Sequence, residues 1–228
     1  MTGSVTDTLV NLDRQIRERF DPLGFVEGEQ NAYQTGHVPH IAPFAYLCWR
    51  YAGLDENGLR EAEHEAGRYI PEPYREMLRH MNGARLLGVS LSGGTFGSID
   101  RSGVGIGQPI SISYQNVVER PSYIPNGHLG IGGINGAWSS QGHLYLTSTG
   151  EVEMYNAQFD IVGARWPSLA EFLSEEFLRR ISLYNDEGHE LDKSKRLPGD
   201  TGDWERLAQE AKKNKNAGLF KRFLRRLQ

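Results

Sequence analysis

Residues 70–83 read IPEPYREMLRHMNG, and the spacing of this stretch organises the chain on either side of it. Pro71 and Pro73 lack an N–H, which costs nothing in the first turn of a helix, and Glu72 and Glu76 bring negative charge to its positive end. Tyr74, Met77, Leu78 and Met81 then recur at i, i+3, i+4 and i+7, which predicts one buried stripe, while Arg75, Arg79 and His80 fall largely off it. Asn82-Gly83 ends the helix, because glycine takes the left-handed conformation without steric penalty.

Upstream, the periodicity predicts three more helices. Thr6 or Asp7 caps the first, whose apolar positions Leu9, Leu12, Ile16 and Phe20 are spaced by three or four before Asp21-Pro22-Leu23-Gly24 closes it. Residues 25–42 have no clear period. Phe44, Leu47, Cys48 and Tyr51 then share a helical face ahead of Gly53, and a Glu-rich helix spans about residues 55–68. Residues 1–54 are thus expected to form a helical N-terminal extension.

Downstream of Gly83 the chain turns rich in glycine, serine and β-branched residues, with turn signals at Gly93-Gly94, Asn126-Gly127 and Asn135-Gly136. RLLGVSL alternates, placing Leu87, Val89 and Leu91 on one side of a strand. HLYLTSTGEVEMY predicts a hairpin that pairs Leu144 and Leu146 with Val152 and Met154 across a turn at Thr149-Gly150. Ser168 and Glu171 form a capping box for an amphipathic helix carrying Leu169, Phe172, Leu173, Phe177, Ile181 and Tyr184. Residues 186–202 are polar and broken by Pro and Gly, as in a linker.

At 228 residues and 38% hydrophobic content the chain can build a real core. No apolar run is long enough to span a bilayer, and the N-terminus lacks the order of a secretory signal. One cysteine, Cys48, excludes an intramolecular disulfide and fits a reducing compartment, so a cytoplasmic protein is expected. Residues 203–228 hold eight basic side chains against three acidic ones, hence +5. Since the whole chain is −4, the remainder is −9. An acidic body disfavours nucleic acid. The tail's apolar positions keep helical spacing, which predicts a basic amphipathic segment docked on its own domain or on a second copy, giving a monomer or a homodimer. An anionic surface is the alternative.

Few residues point to catalysis. Cys48 could act as a nucleophile with His37, His40 or His64 as base, but it sits in the apolar FAYLCWRY, where a buried small side chain is the simpler reading. His37 and His40 amount to half a zinc site without a second pair, and His80, His128, His143 and His189 form no pattern. GVGIGQP from Gly103 and GIGGING from Gly130 lack a phosphate-loop signature, and Ser92 lacks a nucleophile elbow. No metal, cofactor or catalytic residue is therefore expected. Tyr114, Tyr123 and Trp138 lie in or beside polar loops and are the candidate partner-binding anchors, with packing as the other role for each.

The order of Ile70-Pro71, Tyr74, Leu78, Asn82-Gly83, a glycine-rich sheet, Gly150-Glu151-Val152 and the helix from Ser168 to Leu173 resembles the SUKH superfamily, over about residues 55–185. That superfamily includes fungal cell-wall and glucan synthesis regulators and bacterial immunity proteins. The resemblance implies an α+β domain with a mainly antiparallel sheet flanked by helices, and a non-enzymatic protein that binds a cognate toxin. A regulatory adaptor of the cell-wall type is the alternative. Many members carry acidic residues around the glycine-rich turn of the sheet, whereas here Gly132 to Gly142 is uncharged.

Overall fold

The computed structural model describes residues 4–95, 109–136, 141–156 and 161–198. The expected tail at 203–228 therefore lies outside the described residues, as does most of the Gly103 run.

Four helices form where the apolar spacing placed them. Helix α1 (Val5–Phe20) buries Leu9, Leu12, Ile16 and Phe20, and its cap is Ser4, whose hydroxyl accepts from the Asp7 N–H, rather than Thr6 or Asp7. Helix α2 (Glu56–Ala66) is capped by Asp55 and closed by Gly67 in the left-handed conformation. Helix α3 (Glu72–His80) starts behind Pro71 and buries Tyr74, Met77 and Leu78. Helix α4 (Leu169–Ile181) begins at Ser168, whose side chain accepts from the Glu171 N–H and bonds its carboxylate.

Among the described residues the sheet has nine strands, each antiparallel to the next and arranged in chain order. They are β1 (Phe25–Glu27), β2 (Tyr33–His37), β3 (Tyr46–Arg50), β4 (Ala84–Leu86), β5 (Val89–Leu91), β6 (Leu129–Asn135), β7 (Gln141–Leu146), β8 (Val152–Asn156) and β9 (Ile161–Trp166). The α+β expectation holds. The β7–β8 hairpin also pairs as read, with Leu144 opposite Met154 and Leu146 opposite Val152.

Three local expectations are corrected. Residues 46–50 form strand β3, not a helix, because β2 and β4 pair with it on both sides: Cys48 lies opposite Thr35 and Leu86. The expected helical N-terminal stretch thus contributes three strands to the same sheet. RLLGVSL is not one strand but a tight hairpin, in which Leu86 pairs with Val89 across Leu87-Gly88. Both turn residues have positive φ, 52° and 81°, a conformation strained for a leucine. It is held because the Leu87 N–H donates to Leu47 O, the Gly88 carbonyl accepts from Asn135 N, and the Leu87 side chain is buried. Finally, the described part of the expected linker is docked. Leu197 sits in the main core, Arg179 bonds the carbonyls of Lys195 and Arg196, and Arg196 pairs with Glu190.

One large core fills the space between helices and sheet, joining the buried stripes of all four helices to Cys48, Leu86, Val89, Ile134, Leu144 and Met154. A half-buried polar joint lies beside this core. The Asp13 carboxylate of α1 accepts from Tyr33 (2.9 Å), pairs with Arg50 (3.2 Å) and contacts His80 Nε2 (3.0 Å), so it ties α1 to β2, β3 and α3. The opposite face of the sheet carries a smaller cluster of Ile124, Tyr145 and Tyr155 with Val162 against it.

Candidate protein-binding face

Side chains of directly opposed residues share a face. The register therefore lines up Ser90, Gly133, His143, Tyr155 and Val162 in one row, with Gly130, Tyr145, Glu153 and Arg165 in the next. These rows form the face turned away from the helices. Glycines in them are structural. A Cβ at Gly130 would sit 2.7 Å from the Gln115 Cβ, so the missing side chain is what lets the segment Tyr114–Val118, a π-helical turn, lie down on the sheet.

That turn is held by two side-chain amides acting as backbone. Asn116 Nδ2 donates to Gly130 O and the Gly130 N–H donates to Asn116 Oδ1, both at 2.8 Å. Gln115 does the same with Gly132, at 2.7 and 3.0 Å. Each amide thus closes a two-bond ring with a strand peptide, as a ladder partner would. Both are buried, and a β-bulge at Gly130 and Gly132 re-aims β6 at this point.

The anchored turn leaves Tyr114 (45%), Val117 (59%) and Val118 (68%) exposed. Val117 lies against Gly67, which brings the α2–α3 turn and its exposed Tyr69 beside the same segment. Below it opens a cleft of about 240 Å³, lined by Ser90, Ser92, Tyr114, Gln115, Asn135 and His143 among others, and no Asp, Glu, Lys or Arg is among the described lining residues. Burial pushes His143 below the ordinary imidazole value, with Glu119 pulling the other way, so it is neutral near pH 7.

Beside the cleft, Tyr123 packs on Tyr155 with ring centroids 6.2 Å apart, and Tyr155 meets Tyr145 edge-on at 5.5 Å. Burial pushes the Tyr145 and Tyr155 hydroxyls up to about 12, so both stay protonated. The buried Glu153 accepts from Tyr155 (2.9 Å) and Arg165 (2.8 Å) and meets His128 Nε2 at 3.3 Å. The face therefore presents tyrosines and valines around a neutral cleft, on a support fixed by hydrogen bonds.

Of the residues singled out in the sequence, Tyr114 and Tyr123 come to this one face. Trp138 lies outside the described residues. Cys48 is fully buried in β3 with its thiol pushed up by burial, and Ser92 is buried with its carbonyl accepting from Tyr74 at 2.7 Å. His37 meets Pro43 O, and His40 stacks on His189 at 3.9 Å. Among the described residues no group of three or more His, Cys, Asp or Glu is placed to hold a metal ion, and no helix is long and apolar enough to cross a membrane. The sequence reading missed Gln115, Asn116, His143 and Glu153. The alternation of His143, Tyr145 and Glu153 away from Leu144 and Met154 was the available signal for His143 and Glu153.

A family model described as SMI1 / KNR4 family (SUKH-1) matches residues 53–175, which run from before α2 into α4 and include this face. No curated protein matches the chain.

Proposed function

The chain belongs to the SMI1/KNR4 family (SUKH-1), and from that premise we propose that it is a non-enzymatic, cytoplasmic immunity protein that neutralises a cognate toxin by binding it directly. The observation that supports this reading is the exposed cluster of Tyr114, Val117, Val118 and Tyr69 with Tyr123 beside it, carried on a turn that Gln115 and Asn116 lock to the sheet. Aromatic side chains on a rigid support contribute large contact area at small entropic cost, which is the pattern of interface anchors. Binding there would occlude the toxin's own active site without any chemistry on this chain.

The test is co-expression with the toxin-like protein encoded beside this chain. Growth rescue and a stable complex are expected. If that protein neither binds nor is neutralised, the immunity reading is wrong. A pull-down from unstressed cells that returns abundant housekeeping proteins would instead favour a regulatory adaptor, a reading motivated by the segments outside the family match, α1 and β1–β3 before it and residues 176–198 after it.

A further inference from the structure

One row of the outer face has a gap at its centre. Ser90, Gly133 and His143 stand opposite one another on β5, β6 and β7, so their side-chain positions form a line across three strands. Apart from its chain neighbours, a Cβ at Gly133 would meet a single atom within 4 Å among the described residues, the Gly142 carbonyl oxygen at 3.1 Å. Gly130 is covered by contrast, since a Cβ there would strike Gln115. The backbone at Gly133 is therefore bare between Ser90 and His143, and all three residues line the cleft of about 240 Å³.

Size, floor and rim each restrict what this slot can take. Its volume lies below the roughly 300–1,000 Å³ of pockets that enclose a whole small molecule, so one side chain fits it better. Its floor is a strand glycine, which packs poorly by itself and is stabilised when an aromatic ring lies across it. Its rim of Ser90, Tyr114, Asn135, Gln141 and His143 offers hydrogen bonds without a counter-charge, so a charged head buried there would be unpaired. Among aromatic side chains, His143 discriminates. Its Nδ1 is enclosed and without a partner, and an orphaned N–H is less tolerated than an orphaned acceptor, which puts the ring proton on Nε2. His143 thus meets a ligand as a donor. A phenolic oxygen accepts that bond, whereas an indole N–H only donates and a phenyl ring has no polar atom.

We propose that the slot over Gly133 receives one tyrosine side chain of the cognate toxin, its ring on the β6 backbone and its hydroxyl accepting from His143 Nε2. This assignment deepens the protein-binding reading of the same face and rests on it for the identity of the partner.

The experiment titrates the full chain with N-acetyl-tyrosinamide near neutral pH and follows the ring signals of His143 by NMR, identified by their absence in His143→Asn. A saturable shift is expected. N-acetyl-phenylalaninamide, the same probe without the hydroxyl, should bind about fivefold more weakly, the range of one neutral hydrogen bond. Ser90→Phe sets the chain's own ring over Gly133 and should abolish the shift while the protein stays folded, with Ser90→Leu as the smaller plug if the phenylalanine variant does not fold. An unmoved His143, equal affinity for the two probes, or full binding by the plugged protein each overturns the assignment. So does a shift that grows with protein concentration alone, because a second copy then holds the slot. None of these readings needs the toxin, so they are separate from any failure of the immunity reading. Where the toxin binds, the plugged variant should weaken the complex at least about tenfold, as for loss of an interface anchor, and unchanged affinity would overturn the slot's role.

Discussion

The side chain of Asn116 and the backbone of Gly130, fourteen residues apart in the chain, exchange two hydrogen bonds of 2.8 Å. Through this pair the sheet accepts a side chain in place of a neighbouring strand. Asn116→Ala should therefore leave a buried N–H and C=O without partners, at a cost of about 2–4 kcal/mol. Urea denaturation measures it. A loss below about 0.5 kcal/mol, the range of neutral surface changes, would mean that the turn is not held by this pair.

Asp13 predicts that α1 is part of the domain rather than an appendage. Removing its carboxylate leaves Arg50, 11% exposed, and the Tyr33 hydroxyl without their partner, so Asp13→Ala should cost about 2–4 kcal/mol. Arg14→Ala, which breaks the exposed pair with Glu18, should cost about 0–1 kcal/mol. Equal effects of the two substitutions in chemical denaturation would contradict the joint.

The environment of His143 gives a pH dependence with a definite sign. Its pKa is lowered in the folded protein by burial, so the unfolded chain binds the proton more readily and acidification favours unfolding. The contribution is fully present above the ordinary imidazole value of about 6.5 and is lost as the pH falls from there towards the lowered folded value. His143→Asn should accordingly narrow the drop in melting temperature between pH 7 and pH 5. An unchanged drop would place the acid sensitivity elsewhere.

For the binding face, Tyr114→Ala and Tyr123→Ala should each weaken a complex by about 2 kcal/mol, near thirtyfold in dissociation constant, as for interface anchors. Tyr114 is 45% exposed and not part of the buried core, so its substitution should leave the melting temperature within a degree or two of wild type. Isothermal titration with the co-expressed partner reads both numbers. Full affinity in both variants would move the interface off this face.

Much of the architecture was legible because it rests on short-range interactions. The stripe of Tyr74, Met77 and Leu78, the Ser168–Glu171 cap and the Leu144–Met154 pairing all join residues close in sequence, where spacing and turn chemistry act directly. Tyr114 and Tyr123 were likewise visible as aromatics in polar surroundings.

What the amino-acid order alone determined, then, is helices α1 to α4, the main hairpin and the family pattern around IPEPYREMLRHMNG. Tertiary structure decided the rest. FAYLCWRY has an apolar spacing that suits a helix or a strand, and it became β3 because the backbones of β2 and β4 supply hydrogen bonds on both of its edges. Residues 186–198 look like solvent-exposed linker until Arg179 and the core pocket of Leu197 are brought to them by α4. The cleft exists only where Gln115 and Asn116 meet Gly132 and Gly130, 17 and 14 positions further on, an approach that the missing Cβ at Gly130 permits. In each case the deciding partner is distant in sequence, so local propensity carries no record of it.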